Sequence, residues 1–170
     1  DIKFPRALIP AKATKEVKLD LNLDSRMEPT KTFDPKDPYK TSHYATGVEI
    51  FDSQGNKHLM TMFFNKTQDS TWEYRGVVDG KEVTGGNPGE SIEAVKGKLK
   101  FNADGKLDSQ EMTDSNFNFS GGAFQDQKIK ITFGDPIAEG GKGIDGTKQY
   151  GKDSDLISWK QDGTAAGTIT

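Results

Sequence analysis

The sequence contains no cysteine, which removes disulfides, thiolate metal sites and cysteine nucleophiles together. Histidine is nearly as scarce. His43 and His58 are the only two, and neither has an acid or thiol at a metal-ligand spacing such as His-Glu-x-x-His. His58 directly follows a turn and reads as a strand-edge side chain. No apolar run approaches the ~20 residues that span a bilayer as a helix, and Asp1 to Pro10 lack the pattern of a signal peptide. Neither sign of charge dominates: 23 basic and 26 acidic residues are intermixed, for a formal net charge of -3. No basic stripe is available to neutralise a phosphate backbone, so neither nucleic acid nor membrane is expected as a partner.

Apolar residues make up only 32% of the 170 residues, yet they fall in short patterned runs, which argues for one folded domain with a polar surface rather than disorder. From Glu16 to Asp24, Val17, Leu19, Leu21 and Leu23 alternate with polar residues at the period of a half-buried strand. Met27 to Pro38 carries three prolines and reads as a long surface loop. A hairpin is predicted from a strand over Thr46 to Phe51, a turn at Asp52-Ser53-Gln54-Gly55-Asn56 and a return strand from His58 to Phe64 that is apolar on both faces.

The spacing predicts a second hairpin, Thr71 to Val78 and Lys81 to Thr84 about an Asp79-Gly80 turn, and a third in which Val95 to Phe101 turns at Asn102-Ala103-Asp104-Gly105. Asn116 to Ser120 and Lys128 to Phe133 read as short strands, the latter with Ile129, Ile131 and Phe133 inward. Gly134 to Gly151 is a glycine-rich loop, and Ala165 to Thr170 forms a last strand. No stretch has helical spacing with caps. The fold class is therefore all-β, an antiparallel Greek-key barrel or sandwich.

Chemistry-bearing patterns are few. Asn102 to Asp108 resembles an acidic calcium loop but lacks flanking helices and a closing Glu, and a hairpin turn explains it better. Gly140-Gly141-Lys142-Gly143 fails as a phosphate loop, because Pro136 stands at the first Gly and Gly143 at the magnesium-binding hydroxyl. Acid pairs such as Asp153 with Asp155, or Glu90 with Glu93, read as solvated faces. Trp72, Tyr74 and Trp159 offer either a sugar-stacking platform or a core face. No catalytic, cofactor or metal site is assigned. Asn65-Lys66-Thr67 and Asn118-Phe119-Ser120 match a glycosylation sequon that decides nothing by itself.

Read together, Gly47-Val48-Glu49-Ile50-Phe51-Asp52-Ser53-Gln54-Gly55-Asn56-Lys57-His58 and the following Leu59-Met60-Thr61-Met62-Phe63-Phe64-Asn65-Lys66 resemble the signature hairpin of bacterial flagellar hook proteins. Pro10-Ala11-Lys12-Ala13-Thr14 with Leu21-Asn22-Leu23-Asp24-Ser25 looks like the passage from that family's inner β-domain into its outer one. Leu99 to Leu107 and Gln161-Asp162-Gly163-Thr164-Ala165-Ala166-Gly167 resemble later landmarks, with Thr164 where the family usually has an aromatic.

The resemblance implies a non-enzymatic structural subunit of the curved tube that transmits motor torque to the filament. It lies outside the cell, reached unfolded through the flagellar type III export channel. Residues 1–13 are expected to end an inner β-domain and cross over, 14–162 to form the outer domain, and 163–170 to return. The family's terminal helices are expected to be missing, leaving a monomeric piece. Partners implied are other hook subunits and the hook cap, rod and hook-filament junction proteins. The rival function is a carbohydrate-binding or adhesin-like β-domain using Trp72, Tyr74 and Trp159. A hook must bend as it turns, so an interdomain hinge is expected at Pro10, Ala11, Lys12, Ala13 and Thr14 outward and at Asp162, Gly163 and Gly167 on the return.

Overall fold

The computed structural model describes residues 7–169. Residues 1–6 of the expected outgoing segment and residue 170 of the return lie outside the described residues. Among the described residues ten strands follow in order: β1 (Ala7–Ile9), β2 (Glu16–Asn22), β3 (Tyr44–Phe51), β4 (Lys57–Gln68), β5 (Thr71–Asp79), β6 (Ser91–Phe101), β7 (Leu107–Ser115), β8 (Lys130–Thr132), β9 (Asp155–Gln161) and β10 (Gly167–Ile169). Two short 3-10 turns, Gly80–Glu82 and Ile137–Glu139, are the only helical pieces among the described residues.

Strands β3 to β7 form a five-stranded antiparallel meander, each bonded to its neighbour in sequence. A three-stranded sheet, β8-β2-β9, packs against it. Here β2 runs parallel to β8 and antiparallel to β9. A two-stranded ribbon, β1 with β10, joins the chain ends. The architecture is a sandwich and not a closed barrel, which settles the choice left by the sequence. The two sheets are tied along one side, where Gln110 on β7 donates to Thr132 on β8 and accepts from the Phe133 amide, and Ser115 bonds both amide and carbonyl of Ile129.

The core follows from period-two patterning. Val17, Leu19, Leu21 and Leu23 from β2 and its continuation meet Met60, Met62 and Phe64 from β4, Trp72 and Tyr74 from β5, and Ile129, Ile131 and Phe133 beside and within β8. On the other face of β4, Leu59 is 56% exposed and Thr61 half-buried, so that strand is not doubly buried at its start; Phe63, at 2% exposed, is covered by the proline-rich loop. β2 is completed where β8 ends: Leu23 donates to the carbonyl of Lys148, Lys148 to that of Leu21, and the buried Thr147 hydroxyl bridges Leu19 and Leu21. The glycine-rich loop reaches this position because Gly134 and Gly146 lie back to back at φ 135° and 116°. A Cβ on Gly134 would fall 2.1 Å from the Asp145 carbonyl.

Two expected strands are corrected. Lys81 to Thr84 is no return strand, because Asp79 ends β5 by accepting from the amides of Lys81 and Gly89, closing a loop whose ends meet at the Gly80 to Glu90 bond. The partner of β5 is β6, which begins at Ser91 once that loop, the eleven residues 80–90, has closed. Asn116 to Ser120 contributes isolated bridges, Val83 with Phe119 and Phe117 with Gln127, in place of a strand.

Candidate functional site

The two segments that connect ribbon to sandwich lie side by side. Lys12 and Thr164 exchange backbone bonds of 3.0 and 2.8 Å, and the next registered pair outward is Ile9 with Gly167. Pro10 and Ala11 on one strand face Ala165 and Ala166 on the other between these two fixed points. Pro10 has no N–H to give, so that span lacks one potential ladder bond by chemistry.

On the sandwich side the crossing is fastened. Thr14 is fully buried. Its amide donates to the Phe51 carbonyl at 3.0 Å, while its hydroxyl accepts from the Phe51 amide at 2.9 Å and donates to Gln161 Oε1. Gln161 Oε1 also accepts from the Gly163 amide at 2.7 Å, and its Nε2 donates to the Gly163 carbonyl at 2.9 Å. Gly163 is buried so closely that a Cβ would stand 2.4 Å from the Thr14 hydroxyl. From the far loop, Gln127 Nε2 donates to the carbonyls of both Thr14 and Phe51 at 3.0 Å.

Asp162 completes the anchor. Its Oδ1 accepts from the amides of Lys15 and Glu16 at 2.7 and 3.1 Å, at the start of β2. Burial works against the charged carboxylate, but these two amides outweigh it and hold the group below its ordinary range. Of the expected hinge residues, Thr14, Asp162 and Gly163 thus belong to the fastened end, Lys12 to the bridge, Pro10 and Ala11 to the short span, and Gly167 to the first pair of the ribbon. Ala13 lies half-buried between bridge and anchor.

The tip of the β3–β4 hairpin rests on this crossing. Gly55, at φ 80°, comes so near Ala11, Ala165 and Ala166 that a Cβ would lie 2.8 Å from the Ala11 methyl and 2.9 Å from the Ala166 amide. The turn is rigid: Asp52 Oδ1 accepts from the amides of Gln54 and Asn56 at 2.9 and 3.0 Å. Its Oδ2 lies 2.7 Å from His58 Nε2, His58 Nδ1 lies 3.0 Å from Glu82, and the imidazole stacks on Phe119 at 3.8 Å. His58 is therefore no open strand-edge side chain; it is a buried clip between hairpin, 3-10 turn and loop. Burial opposes the Asp52 charge, and the His58 bond and the two amides prevail, lowering its pKa.

Sequence reading missed Gly55 and Gln127 as parts of this crossing. The Asp52–Asn56 turn signal identified the loop, but Gly55 meets Ala11 from 44 positions before it and Ala166 from 111 positions after it, and nothing local marks Gln127.

The other candidates resolve against chemistry. Trp72 and Tyr74 are 0% and 1% exposed, Trp72 donating to Gln149 Oε1 at 2.6 Å and Tyr74 packing on Phe133. They are core, which removes the sugar-stacking platform and with it the adhesin reading; Trp159, 39% exposed on edge strand β9, is left alone. Asn102 forms a side-chain-capped turn to the amides of Asp104 and Lys106, as a hairpin requires. Asp153 pairs with Arg26, Glu93 with Arg75, and Glu90 accepts from Asn87. Among the described residues no cluster of three or more His, Asp or Glu side chains is placed to hold a metal ion. Asn65, of the first sequon, is buried.

Residues 22–164 match the family described as flagellar basal body protein FlaE D2 domain. The flagellar hook protein FlgE of Escherichia coli strain K12 is 31% identical over 180 aligned positions, covering 100% of this chain and 42% of that protein. The flagellar hook protein FlgE of Salmonella typhimurium is 31% identical over 176, covering 99% and 42%. The chain thus spans less than half the length of these relatives. A solved 32 kDa fragment of the flagellar hook protein FlgE from Caulobacter crescentus shares the fold, with TM-score 0.54 at 16% identity over 80% of this chain and 53% of that one. With a matched region that runs from Asn22, the last residue of β2, to Thr164 of the bridge, the chain belongs to the flagellar FlaE D2-domain family.

Proposed function

We propose that this chain forms the outer domain of a bacterial flagellar hook subunit, outside the cell, and that its paired crossing is the articulated link to the rest of the subunit. The observation that carries the reading is the 31% identity to the E. coli hook protein along the whole chain. The work is mechanical: subunits related by a non-closing head-to-tail operation build a tube, and bending requires their outer contacts to slide. Exposed charge favours small wet contacts over locking apolar ones. Lys96, Lys98 and Lys100 on β6 are exposed beside Glu111 on β7, which fits that demand.

Within the crossing, bending belongs at Pro10 and Ala11 against Ala165 and Ala166. Those spans have small side chains and lie between two paired points, whereas Thr14, Asp162 and Gly163 are bonded into the sandwich. The Gly55 turn beneath them acts as a bearing that limits the swing. The partners are other hook subunits along the tube and the cap, rod and junction proteins at its ends. A chain without disulfides suits passage in unfolded form through the type III export channel.

The test is a chimaera in which this chain replaces the aligned segment of the E. coli hook protein, scored by electron microscopy of hooks and by swimming in soft agar. Curved hooks and motility are expected. Subunits that reach the medium but build no hooks would refute the reading.

A further inference from the structure

The proline-rich strap, residues 25–42, leaves the end of β2, crosses the outer face of the five-stranded sheet and returns to β3. Rings hold it there. Phe33 and Tyr39 pack on Phe63 with centroids 5.7 and 5.0 Å apart, and the Arg75 guanidinium lies 4.6 Å over Phe33. Phe63 is only 2% exposed beneath this cover.

His43 sits where the strap rejoins the sheet. Its Nδ1 accepts the backbone N–H of Lys66 on β4 at 3.1 Å, its Nε2 donates to the Glu28 carbonyl of the strap at 2.7 Å, and its ring stands edge-on to Trp72 at 5.7 Å. An N–H directed at Nδ1 needs a lone pair there, so only the neutral ring protonated on Nε2 makes both bonds. A second proton on Nδ1 would face the Lys66 amide donor to donor and break the joint.

We propose that His43 is an acid-sensitive latch: neutral, it fastens the strap over Phe63; protonated, it lets the strap go and uncovers Phe63 on the outer face of the sheet. The surrounding charges favour this sense. From β4, Lys66 is 5% exposed with its ammonium on the Ser25 carbonyl at 2.8 Å, and from the strap Lys31 reaches the Ser42 carbonyl at 3.3 Å. Trp72 on β5 brings no charge. Asp24 is bonded to Arg26 at 2.9 Å, and the Glu28 residue is exposed. Burial lowers the His43 pKa, the Glu28 carbonyl opposes this, and Lys31 and Lys66 lower it further, for a net downward direction. The released state therefore takes up the proton more readily than the latched one. Latching is complete above the ordinary histidine value of about 6.5 and is lost as pH falls below it.

Hydrogen exchange on the 170-residue chain, corrected for intrinsic rates at about pH 7.5 and about pH 5, tests this against His43→Gln, whose amide offers an acceptor and a donor without titrating. NMR of the ring resonance lost in the variant gives the His43 midpoint separately from His58. In the wild type, protection of residues 25–42 and of the Lys66 amide should drop roughly 3- to 10-fold, the worth of one hydrogen bond, following that midpoint; in the variant it should stay flat. Wild-type protection that is unchanged across the His43 titration overturns the proposal, as does an equal loss in His43→Gln. If the variant fails to fold, the wild-type comparison decides alone.

Discussion

Thr14→Val is the sharpest probe of how the crossing is fastened. The substitution keeps a branched side chain in a fully buried position but removes the hydroxyl that joins Phe51 to Gln161. Gln161 Oε1 keeps the Gly163 amide as a donor, so it is not orphaned. The Phe51 amide loses its acceptor, and a buried donor left unpaired costs about 1–3 kcal/mol. Thr14→Ser keeps both bonds and gives up one methyl, worth about 0.8 kcal/mol of burial. Urea unfolding of the three proteins at one temperature reads the difference from the midpoints if the slopes agree. For a domain of this size each kcal/mol also shifts Tm by about 2–4 °C. Val should therefore cost more than Ser. A Val variant as stable as wild type, with Ser the weaker of the two, would show that the methyl and not the hydroxyl secures the crossing.

Other expectations follow the same logic. Trp72→Ala should cost about 3–5 kcal/mol, because the ring is fully buried and its N–H is paired, whereas Trp159→Ala should cost less than half as much; calorimetric melting separates them. Folding depresses the carboxyls of Asp162 and Asp52, so each adds stability that is present above the unfolded value of about 3.9 and is lost as pH falls through the folded value. Asp162→Asn should accordingly flatten the acid limb of a stability-against-pH curve, and an unchanged limb would deny Asp162 that role. Sedimentation of the chain alone should show a monomer, since the exposed lysines of β6 beside Glu111 favour weak, wet contacts; a tight, concentration-independent oligomer would contradict this.

Much of the sandwich is legible in the sequence because period-two alternation is local. Val17 to Leu23, Val95 to Phe101 and Ile129 to Phe133 each face inward as their spacing predicts, and the Asp52 to Asn56 turn sets the β3–β4 register. The failures come from competition that no local pattern reports. Asp79-Gly80 has hairpin chemistry, but the Asp79 carboxylate binds the amides of Lys81 and Gly89 and builds a loop instead. His58 looks like an edge residue until Glu82 and Phe119 arrive from distant segments. The crossing was legible only as two candidate stretches; that Gly55 and Gln127 brace it depends on tertiary approach. The alternation of Trp72 and Tyr74 fitted a core face or a platform equally, and only packing chose.

The sandwich is expected to swing as a rigid body about a short paired span. Cryo-electron microscopy of one curved hook containing this domain, resolving subunits on the inner and outer sides of the bend, tests that most directly. Residues 14–162 should superimpose among all subunits, while the β1–β10 ribbon changes its angle to them at Pro10, Ala11, Ala165 and Ala166. A constant angle at those residues, with the sheets themselves deforming between the two sides, would contradict it.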